Sequence, residues 1–304
     1  MARLQGPPAR VTGRRVAVAL GAVFLAAAAA LTFGAARWRL RTRDFDASLR
    51  AAKSTGAPRT FDARELEHLP APVRRYLAIA LRPGQPVIES ARVATSGEFL
   101  LDAEKKRWAP FTASQLVTVD PPGFDWDARI RMLPGLDVFV RDAYREGAGV
   151  LRAEGAGLVT VADLPASPDL ARGELLRWLA EAPWFPTALL PSQGVRWEAL
   201  AEDRATATVV DRGVTARVEF RFGPDGLPAS IFVPDRPRTV GAAIVPTPWE
   251  GTWSAYGRRN GMRVPSAGEV AWLLPEGRLP YWRGRVRSAV YTFSNADAAP
   301  VVPR

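Results

Sequence analysis

The sequence predicts an α+β protein in which a large, curved antiparallel β-sheet, half-barrel-like in outline, packs against a few helices and follows an N-terminal transmembrane helix. Three observations support this fold class. About a dozen short segments after residue 90 alternate apolar and polar side chains, which is typical of β-strands. Helical spacing of apolar residues is confined to two regions after residue 58. One uncharged segment near the N-terminus is long enough to cross a bilayer.

The uncharged segment covers residues 16–36 and contains ten alanines in 21 residues. As a helix it would be about 31 Å long, close to the ~30 Å apolar core of a bilayer. The alternative is a cleaved signal peptide, because Gly34 and Ala36 form a small-residue cleavage motif. Since the apolar region of a signal peptide usually spans only about 7–15 residues, we favour a retained membrane anchor.

Positive charge is concentrated at the N-terminus. The first 53 residues contain ten of the 41 Lys and Arg residues and two of the 31 Asp and Glu residues. The other 251 residues therefore carry 31 basic and 29 acidic side chains, a balance that argues against a nucleic-acid partner. The chain has no cysteine, which excludes disulfides, thiolate metal ligands, cysteine nucleophiles and a lipoprotein anchor.

The orientation of the anchor is not set by charge, because basic residues lie on both sides of it. We place the main domain outside the cytoplasm, since an apolar segment at the extreme N-terminus most often directs export. A chain without cysteine is compatible with that side. Trp38 is then expected at the membrane interface, with the Arg-rich residues 37–43 beside the outer headgroups.

Residues 58–295 are predicted to form a single domain, because neither a repeat of fixed period nor a low-complexity linker divides them. A basic segment (1–15) precedes the anchor, a charged connector (37–57) follows it, and a flexible tail (296–304) ends the chain. All candidate binding and catalytic residues therefore lie in one folded unit.

Two helical regions are predicted within this domain. The first, residues 61–81, is expected as two pieces broken at Pro70 and Pro72. The second, residues 167–182, is expected to begin at Ser167, whose hydroxyl suits the N-cap position.

The most regular strand pattern lies in residues 124–132. Phe124 and Trp126 are predicted to face the core, and Asp125 and Asp127 to face the solvent. The two carboxylates resemble a divalent-cation pair, but arginines continue the same face and favour a solvated, charge-alternating surface. Further strands are predicted at residues 91–101, 111–119, 136–144, 149–154, 195–201, 205–211, 214–222, 227–233, 248–256, 268–274 and 281–293.

The sequence offers few catalytic groups. Its one histidine, His68, lies in a predicted helix break and is expected to be a capping or surface residue. Motifs for serine hydrolases, zinc proteases and phosphate-binding loops are missing, so no metal and no cofactor is expected. Glu174 and Glu181 are seven residues apart on the second predicted helix, as two-carboxylate hydrolysis would require. Arg177 between them favours an ordinary ion-paired helix surface instead.

Tryptophan is the most informative residue type, because nine of the ten tryptophans follow residue 58. Packing of helices against the sheet explains any one of them. The alternative is that a half-closed sheet leaves an apolar cleft lined by some of these rings. The ligand-binding residues that we predict on this basis are Trp126, Tyr144, Trp184, Trp249 and Trp272.

Three long blocks of the sequence resemble a widespread bacterial family, a domain of unknown function. They are PPGFDWDARIRMLPGLDVFVRDAY, GELLRWLAEAPWFPTALLPSQGVRWEAL and the region from PWEGTWSAY to YWRG, and the likeness covers residues 60–292. The resemblance implies a bacterial source but no reaction. Together with the predicted anchor at residues 16–36, it gives the bacterial cytoplasmic membrane as the expected location, with a single pass. The predicted architecture is also similar to that of periplasmic lipoprotein carriers, in which a half-barrel and a helical lid enclose an apolar cavity; shared architecture does not establish shared function.

Three functions are compatible with these observations. The favoured one is a membrane-anchored, non-catalytic module that holds a lipid or acyl chain in a concave, aromatic-lined sheet. The second is a membrane-tethered hydrolase that uses Glu174 or Asp142 as a base and Arg129 or Arg141 to bind an anionic substrate. The third is an envelope assembly scaffold that binds a protein partner through an exposed sheet edge.

Overall fold

The computed structural model describes residues 10–52, 59–241 and 243–294. It confirms the predicted fold class, because one large antiparallel sheet packs against helices and follows a long N-terminal helix. The helices are α1 (Arg10–Ala51), α2 (Ala71–Ala80) and α3 (Pro168–Glu181), with 3₁₀ turns at Ala63–Leu66, Ala182–Trp184, Pro186–Leu189 and Pro191–Gln193.

The strands are β1 (Ile88–Asp102), β2 (Arg107–Thr118), β3 (Gly123–Leu133), β4 (Leu136–Arg145), β5 (Ala148–Gly155), β6 (Val159–Asp163), β7 (Arg196–Ala201), β8 (Arg204–Asp211), β9 (Val214–Phe222), β10 (Pro228–Val240), β11 (Ala243–Ser254), β12 (Gly257–Arg259), β13 (Met262–Val264), β14 (Ala267–Leu274) and β15 (Gly277–Phe293). Thirteen of these described strands form one sheet in the order β6-β5-β4-β3-β2-β1-β15-β14-β11-β10-β9-β8-β7, and β12 pairs with β13. Consecutive strands are mostly neighbours, and the long strands β1 and β15 join the two halves of the sheet.

Helix α1 is continuous from the predicted anchor into the domain. It contains residues 16–36 and runs on as far as Ala51, so most of the predicted connector (37–57) is helical, and residues 53–57 lie outside the described part. Among the described residues, α1 is the one helix whose length and apolar composition suit a membrane crossing. No flexible joint separates the apolar half of α1 from its second half.

The second half of α1 packs on the outer face of the sheet, which is the face opposite α2 and α3. Trp38 is completely buried there, with its ring 5.8 Å from that of Phe139 in a T-shaped arrangement. Leu49 is also buried, and Asp46 accepts a 2.5 Å hydrogen bond from Arg92 of β1. The expectation that Trp38 lies at the membrane interface is therefore wrong, because the ring fills the contact between α1 and the sheet.

This helix also changes the environment of β3. Phe124 and Trp126 face the core as predicted, but Asp125 on the other face is 1% exposed rather than solvated. Its Oδ1 accepts a 3.0 Å hydrogen bond from Nε of Arg141, beneath α1. The predicted solvated surface is therefore wrong for Asp125, since α1 covers it.

Five hairpin turns lie along one edge of the sheet. By pairing, the β8–β9 turn also lies at the equivalent strand end, but the curvature of the sheet brings its Arg212 to Glu146 and Gly147 at the opposite edge. Antiparallel pairing places the other five connections, β1–β2, β3–β4, β5–β6, β10–β11 and β14–β15, at the same ends of their strands. We call this the hairpin edge. Helix α1 leaves the domain there, because Gly34 lies against Ala156 and Leu158, whereas Leu49 lies against Gly123 near the opposite edge. A Cβ atom at position 34 would lie only 2.4 Å from the carbonyl oxygen of Ala156, so this close approach requires glycine.

The inner face of the sheet is covered by α2, α3 and the 3₁₀ turns that follow α3. As predicted, Ser167 caps α3, and its Oγ accepts a 3.1 Å hydrogen bond from the Leu170 amide. The predicted break in the first helical region lies before Ala71, whereas Pro72 belongs to the first turn of α2, where proline is tolerated. One continuous apolar core joins these helices to the inner face of the sheet.

Candidate functional site

The apolar inner face of the sheet extends beyond the helices toward the hairpin edge. There the side chains are only half-buried, and they come from strands that are distant in sequence. We call this group the mouth. Its residues are Phe99 and Leu101 of β1, Val140 of β4, Val270 and Trp272 of β14, and Tyr281 and Trp282 of β15.

Tyr281 is at the centre of the mouth. Its ring stacks on Trp272, with centroids 5.6 Å apart and planes inclined by 17°, and it meets the edge of Phe99 at 6.1 Å. Its hydroxyl oxygen accepts 3.0 Å hydrogen bonds from Nε1 of Trp249 and from a guanidinium nitrogen of Arg236. The phenol therefore links an apolar surface to buried polar groups.

Two arginines form the polar side of the mouth. Arg236 is buried, with its guanidinium carbon 4.5 Å from the ring centroid of Trp249 and 5.5 Å from that of Trp272. The guanidinium carbon of Arg238 lies 5.6 Å from the same Trp272 ring. Within the described residues, Arg238 has no ion-paired carboxylate. Positive charge is therefore held against aromatic faces beside the apolar surface.

The five predicted ligand-binding residues do not form one cluster. Trp249 and Trp272 face each other across β11 and β14, at the mouth. Trp126 and Trp184 lie deeper, where Phe111 and Trp282 connect them through ring contacts of 5.7–6.5 Å. Of these four tryptophans, Trp272 is the one that is half-buried; the others belong to the buried core.

Tyr144 lies away from both groups, at the other end of its strand. Its hydroxyl donates a 2.8 Å hydrogen bond to Oδ2 of Asp211, and burial together with this carboxylate raises the pKa of the tyrosine. In the structure Tyr144 therefore ties β4 to the β8–β9 hairpin. Its assignment as a ligand-binding residue stays a prediction.

The sequence patterns did not identify Phe99 and Tyr281 as candidate ligand-binding residues. Phe99 lies in the strand predicted at residues 91–101, and alternation from Val93 would have placed it on the inner face. Tyr281 gave no such signal, because a register shift between Val270 and Ala271 turns two successive aromatic residues, Tyr281 and Trp282, toward the same side.

The carboxylates proposed for hydrolysis form a buried cluster between α3 and β4. Arg177 donates hydrogen bonds of 2.5 Å to Asp142 and 2.8 Å to Glu181, and Gln115 donates one of 2.6 Å to Glu181. Burial, reinforced by the charge of Asp142, raises the pKa of Glu174 well above its usual value. The predicted ion pair between Arg177 and Glu181 is present. The predicted helix surface is wrong for Glu174, because α3 turns this side chain toward the sheet interior.

The two arginines proposed to bind an anionic substrate lie on the outer face. Arg141 is buried and paired with Asp125, whereas Arg129 pairs with Asp127 and stacks 4.0 Å from the centroid of Phe139. His68 is exposed in the turn before α2. Within the described part of the chain, no three His, Cys, Asp or Glu side chains are grouped closely enough to hold a metal ion.

A family model, described as a family of unknown function (DUF6920), matches residues 67–291. The chain belongs to the DUF6920 family. The match confirms the predicted membership in an uncharacterised family, and the DUF6920 region includes the mouth and the carboxylate cluster but not α1. No match is found among curated proteins.

Several solved structures are similar to this DUF6920 protein at low sequence identity. A LolA superfamily protein from Nitrosomonas europaea has 10% identity and a TM-score of 0.38, covering 75% of this chain and 93% of its own. A DUF1329 family protein from Desulfovibrio piger has 11% identity and a TM-score of 0.37, covering 67% and 86%. An outer membrane lipoprotein-sorting protein domain from Vibrio parahaemolyticus has 8% identity and a TM-score of 0.36, covering 76% and 92%.

Proposed function

We propose that this protein is a single-pass, membrane-anchored and non-catalytic module of the cell envelope that holds the acyl chain of a lipid in its mouth. The observation that carries the proposal is the position of the mouth. Half-buried apolar and aromatic side chains reach the same edge of the sheet from which α1 leaves the domain. A ligand that comes from the bilayer would therefore meet this apolar surface first.

The energetics of burial favour an apolar ligand. Removing apolar surface from water contributes about 25 cal/mol per Å², and each methylene group that is buried contributes about 0.8 kcal/mol. The rings of Phe99, Trp272 and Trp282 present such surface without being fully enclosed by the helices. Arg236 and Arg238 beside them provide a place for a polar or negatively charged headgroup.

Contacts of α1 support retention of the anchor. Arg37 donates hydrogen bonds of 2.7 Å to the carbonyl of Gly157 and 3.0 Å to Glu154, and Arg41 donates one of 2.7 Å to Glu154. Gly34 packs against the β5–β6 turn. Cleavage after Ala36 would therefore cut a helix that is already part of the domain, which favours a membrane anchor over a signal peptide.

Exposed apolar residues on the hairpin edge also support this arrangement. Leu133 and Leu136 flank the β3–β4 turn and are 61% and 41% exposed. Val159 and Val161 of β6, beside the exit of α1, are 68% and 64% exposed. Such side chains suit contact with the bilayer surface, which keeps the hairpin edge and the mouth at the membrane.

The carboxylate cluster gives less support to hydrolysis. Asp142 and Glu181 are paired with Arg177, which is largely buried, and Glu174 is buried in the core. A base for hydrolysis must reach a proton of the substrate or of a water molecule, which the pairing of Asp142 with Arg177 opposes. The scaffold hypothesis depends on the outermost strands of the described sheet, β6 and β7. Each is paired on one side only and is largely exposed, but nothing in their side chains specifies a partner.

Lipid binding is tested with the full chain in phosphatidylcholine nanodiscs. The probe is a pyrene-labelled monoacylglycerol, an uncharged amphiphile, and the signal is energy transfer from tryptophan to pyrene. The double variant Phe99→Ser/Leu101→Ser alters the mouth, and Leu200→Ser/Val290→Ser changes two exposed apolar residues elsewhere. We expect the mouth variant to lose most of the transfer and the control to keep it; equal transfer in both variants would contradict the proposal.

A second variant tests the mouth in case Phe99→Ser/Leu101→Ser does not fold. Val140→Trp adds apolar bulk to the mouth without adding a polar group, so it should reduce probe binding by filling the space. Circular dichroism and the unfolding midpoint establish that each variant is folded. If a folded Val140→Trp protein binds the probe as tightly as the natural protein does, the mouth is not the binding site.

A further inference from the structure

An arginine-rich groove lies on the outer face of the sheet, opposite the mouth. It is open to solvent, has a volume of about 650 Å³ and is bordered by β1, β2, β3, β4, β11, β14 and β15. Serine and threonine side chains and glycine backbone form much of its surface. Its charged lining residues are Arg129, Arg131, Arg283, Arg285, Arg287, Glu98, Asp137 and Glu269.

The acids of the groove do not neutralise all of its arginines. Glu98 pairs with Arg283 at 2.7 Å, and Glu269 pairs at 2.6 Å with Arg278, which lies outside the groove. In the part of the chain that the structure describes, Arg285 makes no side-chain hydrogen bond or ion pair.

Arg287 has a neutral partner, since its Nε donates a 2.5 Å hydrogen bond to the hydroxyl of Ser96. Two neighbouring guanidinium groups are therefore available to an external anion. Adjacent positive charges without carboxylate partners repel each other, and a bound anion relieves that repulsion.

The groove begins where α1 meets the sheet. Arg129 belongs to its lining, and its guanidinium carbon lies 5.7 Å from the ring centroid of Trp38. Arg39 and Arg43 are exposed on the flank of α1 that also carries Asp46, whose carboxylate reaches β1. Positive charge thus continues from the groove to the part of α1 nearest the membrane.

We propose that this groove binds a phosphate-bearing ligand, with Arg285 and Arg287 as its principal donors. The planar guanidinium group presents paired N–H donors that match the oxygens of a phosphate, and these charge-assisted bonds are stronger than neutral ones. The phosphate can belong to a phospholipid headgroup or to a soluble compound. The proposal does not depend on lipid binding in the mouth, because the two sites lie on opposite faces of the sheet.

The test uses the full chain in phosphatidylcholine nanodiscs and isothermal titration calorimetry. Inorganic phosphate and dihexanoyl phosphatidylglycerol are titrated separately. The test variant is Arg285→Glu/Arg287→Glu, and the matched control is Arg82→Glu/Arg196→Glu, which reverses two exposed arginines without described carboxylate partners. We expect at least about tenfold weaker binding in the test variant, as expected for loss of charge-assisted bonds, and a change below about twofold in the control.

The two ligands distinguish the sources of the phosphate. Binding of inorganic phosphate that the test variant loses supports a site for soluble phosphates, and binding of the phospholipid alone supports a headgroup site. The proposal is overturned if the natural protein binds neither ligand. It is also overturned if ligand binding is weakened equally in the test variant and in the control variant. Arg285→Ala is the second variant if the double reversal does not fold. Binding of the uncharged monoacylglycerol probe should be unchanged in every groove variant, so failure here is separable from failure of the mouth.

Discussion

The indole Nε1 of Trp38 donates a 2.8 Å hydrogen bond to Oδ1 of Asp127. The other carboxylate oxygen of Asp127 accepts a 3.1 Å hydrogen bond from the hydroxyl of Thr42, one helical turn further along α1. Arg129 also bonds to this carboxylate and stacks on the Trp38 ring. One acidic residue of β3 thus fixes two successive turns of the N-terminal helix to the sheet.

Trp38→Ala should strongly destabilise the domain. It removes a fully buried ring and leaves Asp127 without one of its donors, and loss of a buried aromatic side chain typically costs about 3–5 kcal/mol. Trp38→Phe keeps most of the ring volume and should cost about 1 kcal/mol through the lost hydrogen bond. Urea unfolding of the full chain in detergent micelles, followed by circular dichroism, measures both values.

The control for this prediction is Trp108→Ala. Trp108 is half-buried on the outer face and lies 4.5 Å from the guanidinium carbon of Arg283, so its removal should cost less than removal of Trp38. If Trp38→Ala costs no more than Trp108→Ala, then the second half of α1 does not contribute to the stability of the domain.

Asp125 should make the stability of the domain depend on pH. Burial is the main cause that raises its pKa to about 7, against the opposing effect of Arg141. Between about pH 4 and 7 the folded chain therefore binds more protons at this site than the unfolded chain does. The contribution of Asp125 to stability is complete below that interval and is lost as the pH rises through it.

Asp125→Asn should remove this contribution, so the difference in unfolding free energy between the variant and the natural protein should change across that interval. Urea unfolding at several pH values measures the difference. Asp235→Asn, at an exposed residue paired with Arg172, is the control for removal of a carboxylate outside the core. A flat difference for Asp125→Asn would mean that the Asp125 carboxyl does not titrate in the interval.

Glu174→Gln should have little effect on stability. Burial raises the pKa of Glu174 and so favours its neutral form, and glutamine has nearly the same shape and no charge. We expect a change within about 1 kcal/mol. Glu181→Gln should cost more, about 2 kcal/mol, because Glu181 accepts charge-assisted bonds from Arg177. Urea unfolding at pH ~7 compares the two variants, and a larger loss for Glu174→Gln would show that its carboxyl is ionised in the fold.

Leu133 should contact lipid. The natural chain has no cysteine, so Leu133→Cys and Val290→Cys each provide a single site for a polarity-sensitive fluorophore. Both side chains are about two-thirds exposed, at 61% and 67%, but Val290 lies on β15 away from the hairpin edge. After reconstitution, lipid-attached nitroxides should quench the label at position 133 more strongly than at position 290. Equal quenching would place the hairpin edge away from the bilayer.

Alternation along strands predicted the inner face of the sheet well. Phe124 and Trp126 are buried, and so are Trp249 and Trp253 of β11, because the two-residue period assigns every second side chain to the core. The outer face was predicted less well. A charged face covered by a helix has the same pattern as a charged face in water, and Asp125 therefore gave no sign of its burial.

The packing of α1 was unpredictable for a related reason. The residues that α1 turns toward the sheet include Gly34, Trp38, Thr42 and Asp46, which form no apolar stripe. Trp38 and Leu49 are buried in the contact between α1 and the sheet, but the rest of this contact depends on hydrogen bonds and on close backbone approach, and neither has a periodic signature. The sequence predicted an aromatic-lined apolar surface but not the residues that form the mouth. Bulges such as the one beside Tyr281 decide which rings meet, and the sequence pattern does not reveal them.

The unbroken α1 limits how far the domain can travel. In the proposed membrane anchor, a helix that is continuous as far as Ala51 would hold the sheet close to the bilayer and prevent it from diffusing as a soluble carrier does. A lipid held in the proposed mouth would then have to be collected there by a mobile acceptor, or passed to another anchored protein of the same kind.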